Sequence, residues 1–430
     1  MKYKFLTIFT ILLTFSIVVN AQSFSKKFDF GIGKTAEGYE SVSTINTYSK
    51  ETGYGFEDVT GITCFSRNDK NLLLSGFCSS DKPFYFSVAV PEGSYKVTVT
   101  FGDFFDSTET TVKAELRRLM LENVETKKGK FKTETFIVNV RRPEISTGGT
   151  VKLKDREKLL EAWAWDEKLT LEFNGKKPNV NAIEIEKIDS LPTVYLLGDS
   201  TVCDQPGEPY ASWGQMLTAF FNNQIVIANH AESGESLKSS FGAKRLEKVL
   251  SLLKQGDYVL IQYAHNDEKE KGDGIGAMTT FKASLLQWID AIRAKGGNPI
   301  LITPMHRRTF DANGKITNSH GDYPEAMRQA AKEKDVPLID LTAMSKDLYE
   351  YFGKDGSGVL FKDGDGTHHN NFGAYELAKL VATGIKTQKL PLSKYLRKEF
   401  KPLDPKKPDS PENIKIPASP NYQNTKPLGN

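Results

Sequence analysis

The stretch TVYLLGDSTVCDQPGEPYASW, residues 193–213, decides the fold of the second half of the chain. It opens with a short apolar run and stops at GDST, residues 198–201, a pattern typical of a buried strand that ends in a turn. In an open parallel sheet, ligands bind at the carboxyl ends of the strands. The stretch therefore predicts that Ser200 is a candidate nucleophile at a ligand-binding edge. The alternative is that Ser200 only caps the next helix.

Further apolar runs repeat this strand signal, and helical stretches such as 276–295 and 322–335 separate them. The runs lie at 193–197, 225–229, 257–262, 299–303 and 337–341. Short buried strands that alternate with amphipathic helices indicate a parallel α/β sheet with right-handed crossovers. Five such strands predict the flavodoxin-like order, whose ligand-binding switch point lies beside the first strand and hence beside Ser200.

The first half of the chain has a different period. Between Phe28 and Ile188, apolar and polar residues alternate in runs bounded by turn residues, which predicts an antiparallel β-sandwich. The clearest runs are 83–90, 94–101, 133–140, 168–173 and 181–188. The stretch from Lys113 to Val124 fits either a helix or an irregular strand, and the pattern does not choose between them.

These patterns divide the 430 residues into four parts. We expect a signal peptide at 1–21, because Lys2 and Lys4 precede an apolar block that ends in small residues. A β-sandwich domain should follow at 22–190 and an α/β domain at 191–394. The proline- and lysine-rich tail, 395–430, should be either disordered or an extended strap over the surface. The apolar block is short for a membrane span, so we expect a secreted or periplasmic protein with no membrane span after cleavage.

Charge and cysteine content exclude several classes of partner. Without Lys2 and Lys4, the 57 basic residues fall to 55 against 54 acidic ones, so no nucleic-acid partner is expected. The three cysteines form no CxxC pair and indicate neither a zinc knuckle nor a disulfide framework. Cys64 and Cys78 could pair or could remain buried thiols, and the sequence leaves this open.

All six histidines lie in the second half of the chain, where acid and base chemistry is therefore expected. His368 has the best context, because DGTH at 365–368 places a carboxylate three residues before the imidazole in a glycine-rich loop. Such a carboxylate can orient a histidine that takes a proton from a hydroxyl. The alternatives are helix capping by Asp365 or Thr367 and a solvent-facing histidine.

Two more blocks follow predicted strands and supply oxyanion donors. In NHAESGES, 229–236, Gly234 offers a backbone N–H without a side chain in the way. In QYAHND, 262–267, Asn266 offers a side-chain amide. The chain contains neither HExxH nor GxSxG, and a calcium-loop reading of 362–367 fails because Ala374 stands where a bidentate glutamate is needed. No metal and no other cofactor are therefore expected.

Four blocks in this order make residues 193–390 resemble the SGNH (GDSL) hydrolases, and most closely the rhamnogalacturonan acetylesterases among them. The resemblance implies a three-layer parallel-sheet hydrolase domain. It also implies that Ser200 is the nucleophile, His368 the general base and Asp365 its orienting partner. The oxyanion donors would be the N–H groups of Ser200 and Gly234 and the amide of Asn266. Residues 25–188 resemble the malectin-like or galactose-binding-like sandwich modules of carbohydrate enzymes.

The expected function is removal of O-acetyl groups from pectic rhamnogalacturonan through an acetyl-serine intermediate, with an acetylated polysaccharide or oligosaccharide as the partner. The alternatives are an esterase for acetylated xylan, one for lipids or thioesters, and a non-catalytic sugar-binding protein. Arg307 and Arg308, after the fourth strand, are the candidate ligands of a uronate carboxylate. They could instead form surface ion pairs. The oligomeric state is not predicted.

Two further expectations concern how the site is built. Ala264 stands where the resembling family usually has glycine, so a positive φ there would strain the loop that carries Asn266. Residues 22–190 contain no histidine and none of the four blocks. We therefore expect that they are not required for chemistry on a small ester.

Overall fold

The structure is a computed structural model that describes residues 24–423 and 426–428. The expected signal peptide, 1–21, and the expected start at Gln22 lie outside the described residues. Within the described ranges, no helix is both long and apolar enough to cross a membrane.

The first half of the chain folds as a β-sandwich. Its strands are β1 Ser25–Phe30, β2 Glu40–Val42, β3 Tyr54–Phe56, β4 Ile62–Ser66, β5 Gly76–Ser80, β6 Phe84–Ala89, β7 Gly93–Asp103, β8 Thr108–Ala114, β9 Arg118–Thr126, β10 Lys130–Val140, β11 Lys168–Lys177, β12 Asn179–Val180 and β13 Ala182–Ile188. Two five-stranded sheets have the orders β10-β7-β13-β1-β2 and β3-β6-β11-β8-β9, and a small third sheet is β12-β5-β4. The pairs are antiparallel except β1 with β2. The predicted antiparallel sandwich is confirmed.

The undecided stretch from Lys113 to Val124 is a hairpin. Strand β8 ends at Ala114, and β9 begins at Arg118 and pairs with it. Between them, Glu115 and Arg117 have φ values of 55° and 62°, a conformation that no helix interior tolerates. Elsewhere in the sandwich, Cys64 on β4 lies directly opposite Cys78 on β5, and the two form a disulfide.

The second half is a parallel α/β sheet. Its strands are β14 Thr193–Gly198, β15 Val226–Asn229, β16 Tyr258–Gln262, β17 Asn298–Ile302 and β18 Leu338–Ile339. The helices of the chain are α1 Leu72–Ser75, α2 Asp155–Leu159, α3 Trp213–Leu217, α4 Leu237–Gly242, α5 Arg245–Leu252, α6 Lys282–Ala294, α7 Tyr323–Lys334, α8 Leu341–Gly356 and α9 Asn371–Thr387. The sheet order is β15-β14-β16-β17-β18, which is the predicted flavodoxin-like order.

Helices cover both faces of this sheet and make three layers. Because side chains alternate along a strand, Val194 and Leu196 of β14 pack into one core with α3, α8 and α9. Tyr195 and Leu197 pack into the other core with α4, α5, α6 and α7. A strand buried on both faces explains why 193–197 contains no alternation of polar and apolar residues.

The tail is an extended strap as far as it is described. Phe400 and Leu403 pack into the core beside α9. Farther on, the Ser419 hydroxyl donates to a Glu172 carboxylate oxygen of the sandwich at 2.8 Å, and the Gln423 N–H donates to the Glu208 carbonyl at 2.6 Å. The strap therefore crosses from the α/β half to the sandwich and back to the loop that follows Ser200.

Candidate active site

Ser200 lies at the carboxyl end of β14, between the neighbouring strands β15 and β16. Gly198 ends the strand where a Cβ atom would lie 2.5 Å from the Val202 side chain and 2.7 Å from the Gln262 carbonyl oxygen. No larger residue fits there. The turn is fixed by Asp199, whose carboxylate accepts the Thr201 N–H at 2.9 Å and the Thr201 hydroxyl at 2.7 Å. Ser200 is therefore held at the predicted switch point.

Ser200, His368 and Asp365 form one hydrogen-bonded chain. The Ser200 Oγ lies 3.0 Å from His368 Nε2, and His368 Nδ1 lies 2.9 Å from an Asp365 carboxylate oxygen. All three side chains are buried. Ser200 and His368 are 168 positions apart in sequence. They meet because the loop after β14 and the loop before α9 lie at the same edge of the sheet. This geometry is that of a serine nucleophile, a histidine base and an orienting carboxylate.

The loop around Asp365 keeps that carboxylate ionised. Its second oxygen accepts the N–H groups of Thr367 at 2.8 Å and His368 at 3.1 Å. Burial raises the pKa of Asp365, but the hydrogen bond and charge of His368 and these two N–H groups outweigh burial, so the pKa lies well below its ordinary value. An ionised Asp365 fixes the Nδ1-protonated tautomer of His368, which leaves Nε2 to accept the serine proton.

Three donors surround the serine side of this chain. Within the described ranges, the N–H groups of Ser200 and Gly234 have no hydrogen-bond acceptor. Gly234 has a φ of 76°, which favours glycine. Asn266 donates one amide hydrogen to the Glu235 carbonyl at 3.0 Å, and its second amide hydrogen remains for a ligand. The predicted oxyanion donors thus follow three adjacent parallel strands, at the same edge of the sheet as Ser200.

The strap reaches this site. Lys426 Nζ lies 3.6 Å from an Asp365 carboxylate oxygen. A Cβ atom on Gly234 would lie 2.8 Å from the Leu428 Cβ. Nothing in the composition of the tail indicated that its end would lie beside the predicted catalytic residues.

Ala264 has the strained backbone that its position predicted. Its φ is 142°, and the residue is fully buried. We expect Ala264→Gly to raise the free energy of unfolding by about 1 kcal/mol, because relief of strain outweighs the entropy that glycine adds to the unfolded chain. Urea unfolding measures this. The control Ala291→Gly, inside helix α6, should lower stability by about 1 kcal/mol instead. Equal losses in both variants would contradict strain at Ala264.

Arg307 and Arg308 already bind protein groups. Arg307 pairs with Glu268 at 2.5 Å. Arg308 donates to the Ser357 hydroxyl at 2.9 Å and to the Lys354 carbonyl at 2.7 Å, near the end of α8. These contacts match the alternative of structural pairing, and a substrate contact by either arginine stays a prediction.

The other histidines are buried within the fold. His265 and His369 are buried, and burial lowers the pKa of His369 to about 3 and that of His265 far below its ordinary value. His306 has a pKa lowered to about 4, again because of burial. His369 is hydrogen-bonded to the Tyr349 hydroxyl at 2.7 Å. Among the described residues, His368 is the histidine that is hydrogen-bonded to Ser200.

Sequence reasoning did not predict that the sandwich half contacts residues 229–236, the loop that carries Gly234 and that we call the oxyanion loop. Lys154, just before α2, donates to the Ser233 carbonyl at 2.5 Å and pairs with the Glu235 carboxylate at 2.8 Å. Arg245 of α5 pairs with the same carboxylate at 3.4 Å and with Glu157 of α2 at 2.7 Å. Gly234 lies between the two residues that Lys154 binds. No motif signalled this contact, because Lys154 lies 79 positions before Ser233 and Glu157 lies 88 positions before Arg245.

The sandwich also holds the loop that follows Ser200. Arg117 donates to the carbonyls of Gln205 at 3.3 Å and Tyr210 at 2.7 Å. It also pairs with Glu208 at 2.5 Å, where both side chains are 5% exposed. Gln205 in turn donates to the Ser200 carbonyl at 2.7 Å. Two of the loops that form the candidate site are therefore braced by residues of the first half.

One buried group of carboxylates could in principle hold a metal ion. Glu157, Glu161 and Glu232 lie together behind the oxyanion loop. However, Arg245 makes two hydrogen bonds to Glu157, and Arg156 donates to Glu161 at 2.6 Å. Arginines thus already neutralise these ligands, and we assign no metal to them.

Comparison with known proteins shows which proteins the chain is similar to. The rhamnogalacturonan acetylesterase RhgT of Bacillus subtilis (strain 168) is 43% identical over 218 residues, which cover 47% of this chain and 93% of that protein. The uncharacterized esterase YxiM of the same organism is 28% identical over 396 residues, 88% of this chain and 96% of that protein. A crystal structure of protein YXIM from Bacillus subtilis matches with a TM-score of 0.47 and 27% identity, over 86% of this chain and 99% of that one.

Two family models match separate parts of the chain. Residues 196–374 match the GDSL-like lipase/acylhydrolase family, and residues 26–143 match the β-agarase/YXIM esterase-like, galactose-binding domain-like family. The chain belongs to the GDSL-like lipase/acylhydrolase family and is a carboxylic ester hydrolase. Among the members, its similarity is to rhamnogalacturonan acetylesterases, with a galactose-binding-like domain before the hydrolase. Both resemblances predicted from the sequence are confirmed.

Proposed function

We propose that the protein removes acetyl groups from the sugar hydroxyls of a polysaccharide, with Ser200 as nucleophile. His368 Nε2 takes the hydroxyl proton as Ser200 Oγ attacks the acetyl carbonyl carbon. The N–H groups of Ser200 and Gly234 and the Asn266 amide stabilise the oxyanion. The sugar oxygen leaves with the proton from His368, and an acetyl-serine remains. Water, deprotonated by His368, then releases acetate and restores Ser200.

The observation that carries this proposal is the Ser200–His368–Asp365 chain at 3.0 and 2.9 Å beside two N–H groups that lack an acceptor within the described ranges. An oxyanion that forms at Ser200 could accept hydrogen bonds from both N–H groups at once. The intact chain also argues against the alternative of a non-catalytic sugar-binding protein. Neither a metal nor another cofactor has a part in this sequence of steps.

We further propose that the natural substrate is acetylated rhamnogalacturonan. The support is the 43% identity to a protein named for that activity. Acetyl is a small acyl group, so the enzyme must obtain its binding energy from the sugar. Acetylated xylan remains the main alternative substrate. A polysaccharide substrate agrees with the proposed signal peptide and with a secreted or periplasmic location.

The test is a panel of four esters, of which three are scored by released acetate and the long-chain aryl ester by the released aryl alcohol. Acetylated rhamnogalacturonan should be deacetylated with at least about tenfold higher kcat/KM than acetylated xylan, a difference of about 1.4 kcal/mol in transition-state binding. An aryl acetate contains no sugar and therefore measures the acetyl-serine chemistry alone. A long-chain aryl ester tests the lipase alternative. Faster release from xylan would replace the proposed substrate but would leave the acetyl-serine chemistry in place.

A further inference from the structure

The β-sandwich carries an open cleft of about 720 Å³ whose rim is rich in lysine. Five lysines and two glutamates line it, together with Phe131. We call it the lysine cleft, and its lysines are Lys127, Lys130, Lys132, Lys176 and Lys177. It lies where the ends of β9 and β11 meet the beginnings of β8 and β10. The comparisons and the proposed chemistry leave this cleft without a role.

Most of these lysines have no task in the fold. Among the residues that the structure describes, Lys127, Lys130 and Lys132 form no ion pair or side-chain hydrogen bond, and all three are exposed. Lys177 pairs with Asp106 at 2.5 Å, and Lys176 lies 3.7 Å from Glu109. Like charges gathered without partners repel one another, so folding does not explain their presence.

The excess charge of the cleft is unusual for this chain. The whole sequence has 57 basic and 54 acidic residues, whereas the cleft alone has three more lysines than glutamates. The cleft therefore carries a local excess of positive charge. A concave surface of one sign raises the local concentration of ligands of the opposite sign.

The spacing of the lysines favours a ligand with repeated charges. Lys130 and Lys132 lie two residues apart on β10, so their backbones are about 7 Å apart on the same face of the strand. Lys127 lies at the other side of the hairpin turn, and Lys176 and Lys177 lie across the cleft. These positive groups are spread along the cleft and do not converge on one point. A cavity of this size also exceeds what a single small anion would fill.

We propose that the lysine cleft is an accessory binding site for an anionic polysaccharide whose sugars carry uronate carboxylates. The choice of a polyuronate rests on the proposed function, since a pectic substrate carries such carboxylates along its backbone. The cleft binds the polymer and takes no part in the chemistry. Strand β8 begins at the cleft with Thr108 and ends at Ala114, next to the Arg117 contact with the catalytic loop. The seven residues of this strand span roughly 20 Å.

The arrangement differs from sugar binding through loop aromatics. Phe131 is half-buried against Phe104, with ring centroids 4.9 Å apart. The charged groups of the cleft are mainly ammonium groups, which bind carboxylates as point charges. Binding should therefore weaken as salt is added and should discriminate against neutral polysaccharides.

The experiment compares full-length wild type with the triple variant Lys127→Gln, Lys130→Gln and Lys132→Gln. Electrophoresis in gels that contain polygalacturonate or neutral galactan gives the dissociation constant for each polymer. We expect wild type to bind polygalacturonate at 50 mM salt, and the triple variant to bind it about tenfold more weakly, with a flatter salt dependence. The kcat for an aryl acetate should be unchanged in the variant, because none of these residues lies near Ser200.

A second triple variant, Lys50→Gln, Lys295→Gln and Lys332→Gln, removes the same charge from exposed lysines elsewhere. It should keep wild-type binding. The proposal is overturned if wild type does not bind polygalacturonate, if the control loses as much affinity as the cleft variant, or if galactan binds equally well. The acetate panel is independent of this result. Binding of polygalacturonate by a protein that deacetylates only xylan would overturn the proposed substrate and leave the cleft assignment intact.

Discussion

Replacement of Ser200 by alanine should lower kcat for an aryl acetate by at least about a thousandfold. The variant loses the atom that attacks the carbonyl carbon, and the remaining oxyanion donors supply only residual catalysis. The Ser200 Oγ has His368 Nε2 as its hydrogen-bond partner at 3.0 Å, so the loss of the hydroxyl disturbs little else. The free energy of unfolding should change by less than about 1 kcal/mol. The rate of acetate release measures kcat, and urea unfolding measures the free energy of unfolding.

Ser345→Ala is the matched control for this prediction. Ser345 is also a fully buried serine, but its Oγ accepts the His306 N–H at 3.0 Å and donates to the Thr342 carbonyl at 3.1 Å. Its removal leaves a buried donor and a buried acceptor, so stability should fall by about 1–3 kcal/mol while kcat stays within about twofold. Folded Ser200→Ala protein that keeps wild-type kcat would reject Ser200 as the nucleophile.

The parallel sheet could be predicted because its signals are local. Strand β14 is a continuous apolar run closed by Gly198. Apolar runs also mark strands β15, β16 and β17. Once the order was flavodoxin-like, Ser200 had to lie at the switch point. The residues of the candidate site were found in the same way, because Gly234, Asn266 and His368 each follow a strand or precede a helix in a recognisable block.

The contacts between the halves could not be predicted, because no local pattern records them. Lys154 lies in a polar stretch that reads as an ordinary loop, yet it contacts both neighbours of Gly234. The end of the tail has a composition that fits either disorder or a strap. The substrate role of Arg307 and Arg308 stays a prediction. Their position after a strand suggested a ligand, but nearby carbonyl and carboxylate groups already bind them.

The expectation that residues 22–190 are dispensable for a small ester meets a structural obstacle at Arg245. This side chain is 1% exposed. It makes hydrogen bonds of 3.1 and 2.7 Å to the Glu157 carboxylate of the sandwich half and lies 3.4 Å from Glu235. A protein without the sandwich would keep Arg245 and Glu235 but lose Glu157 and Lys154. The oxyanion loop would then lose the cation Lys154, and its other cation, Arg245, would lose its partner Glu157.

Arg245→Met in the full-length protein should therefore lower the free energy of unfolding by about 3–5 kcal/mol. The change leaves Glu157 buried without its cation and leaves Glu235 with Lys154 alone, and an unpaired buried charge costs more than the pair contributes. The control Arg328→Met removes a surface arginine that pairs with Asp340 at 3.0 Å, where the side chains are 36% and 34% exposed, and should cost less than about 1 kcal/mol. Urea unfolding of both variants measures the difference.

The same variant should also affect turnover where the protein remains folded. Glu235 holds the Asn266 amide through its carbonyl at 3.0 Å, while its carboxylate is held by Lys154 and Arg245. A shift of Glu235 moves an oxyanion donor, so kcat for an aryl acetate should fall by about tenfold or more with little change in KM. A variant that loses stability but keeps wild-type kcat would mean that the contact braces the two halves without positioning the oxyanion loop.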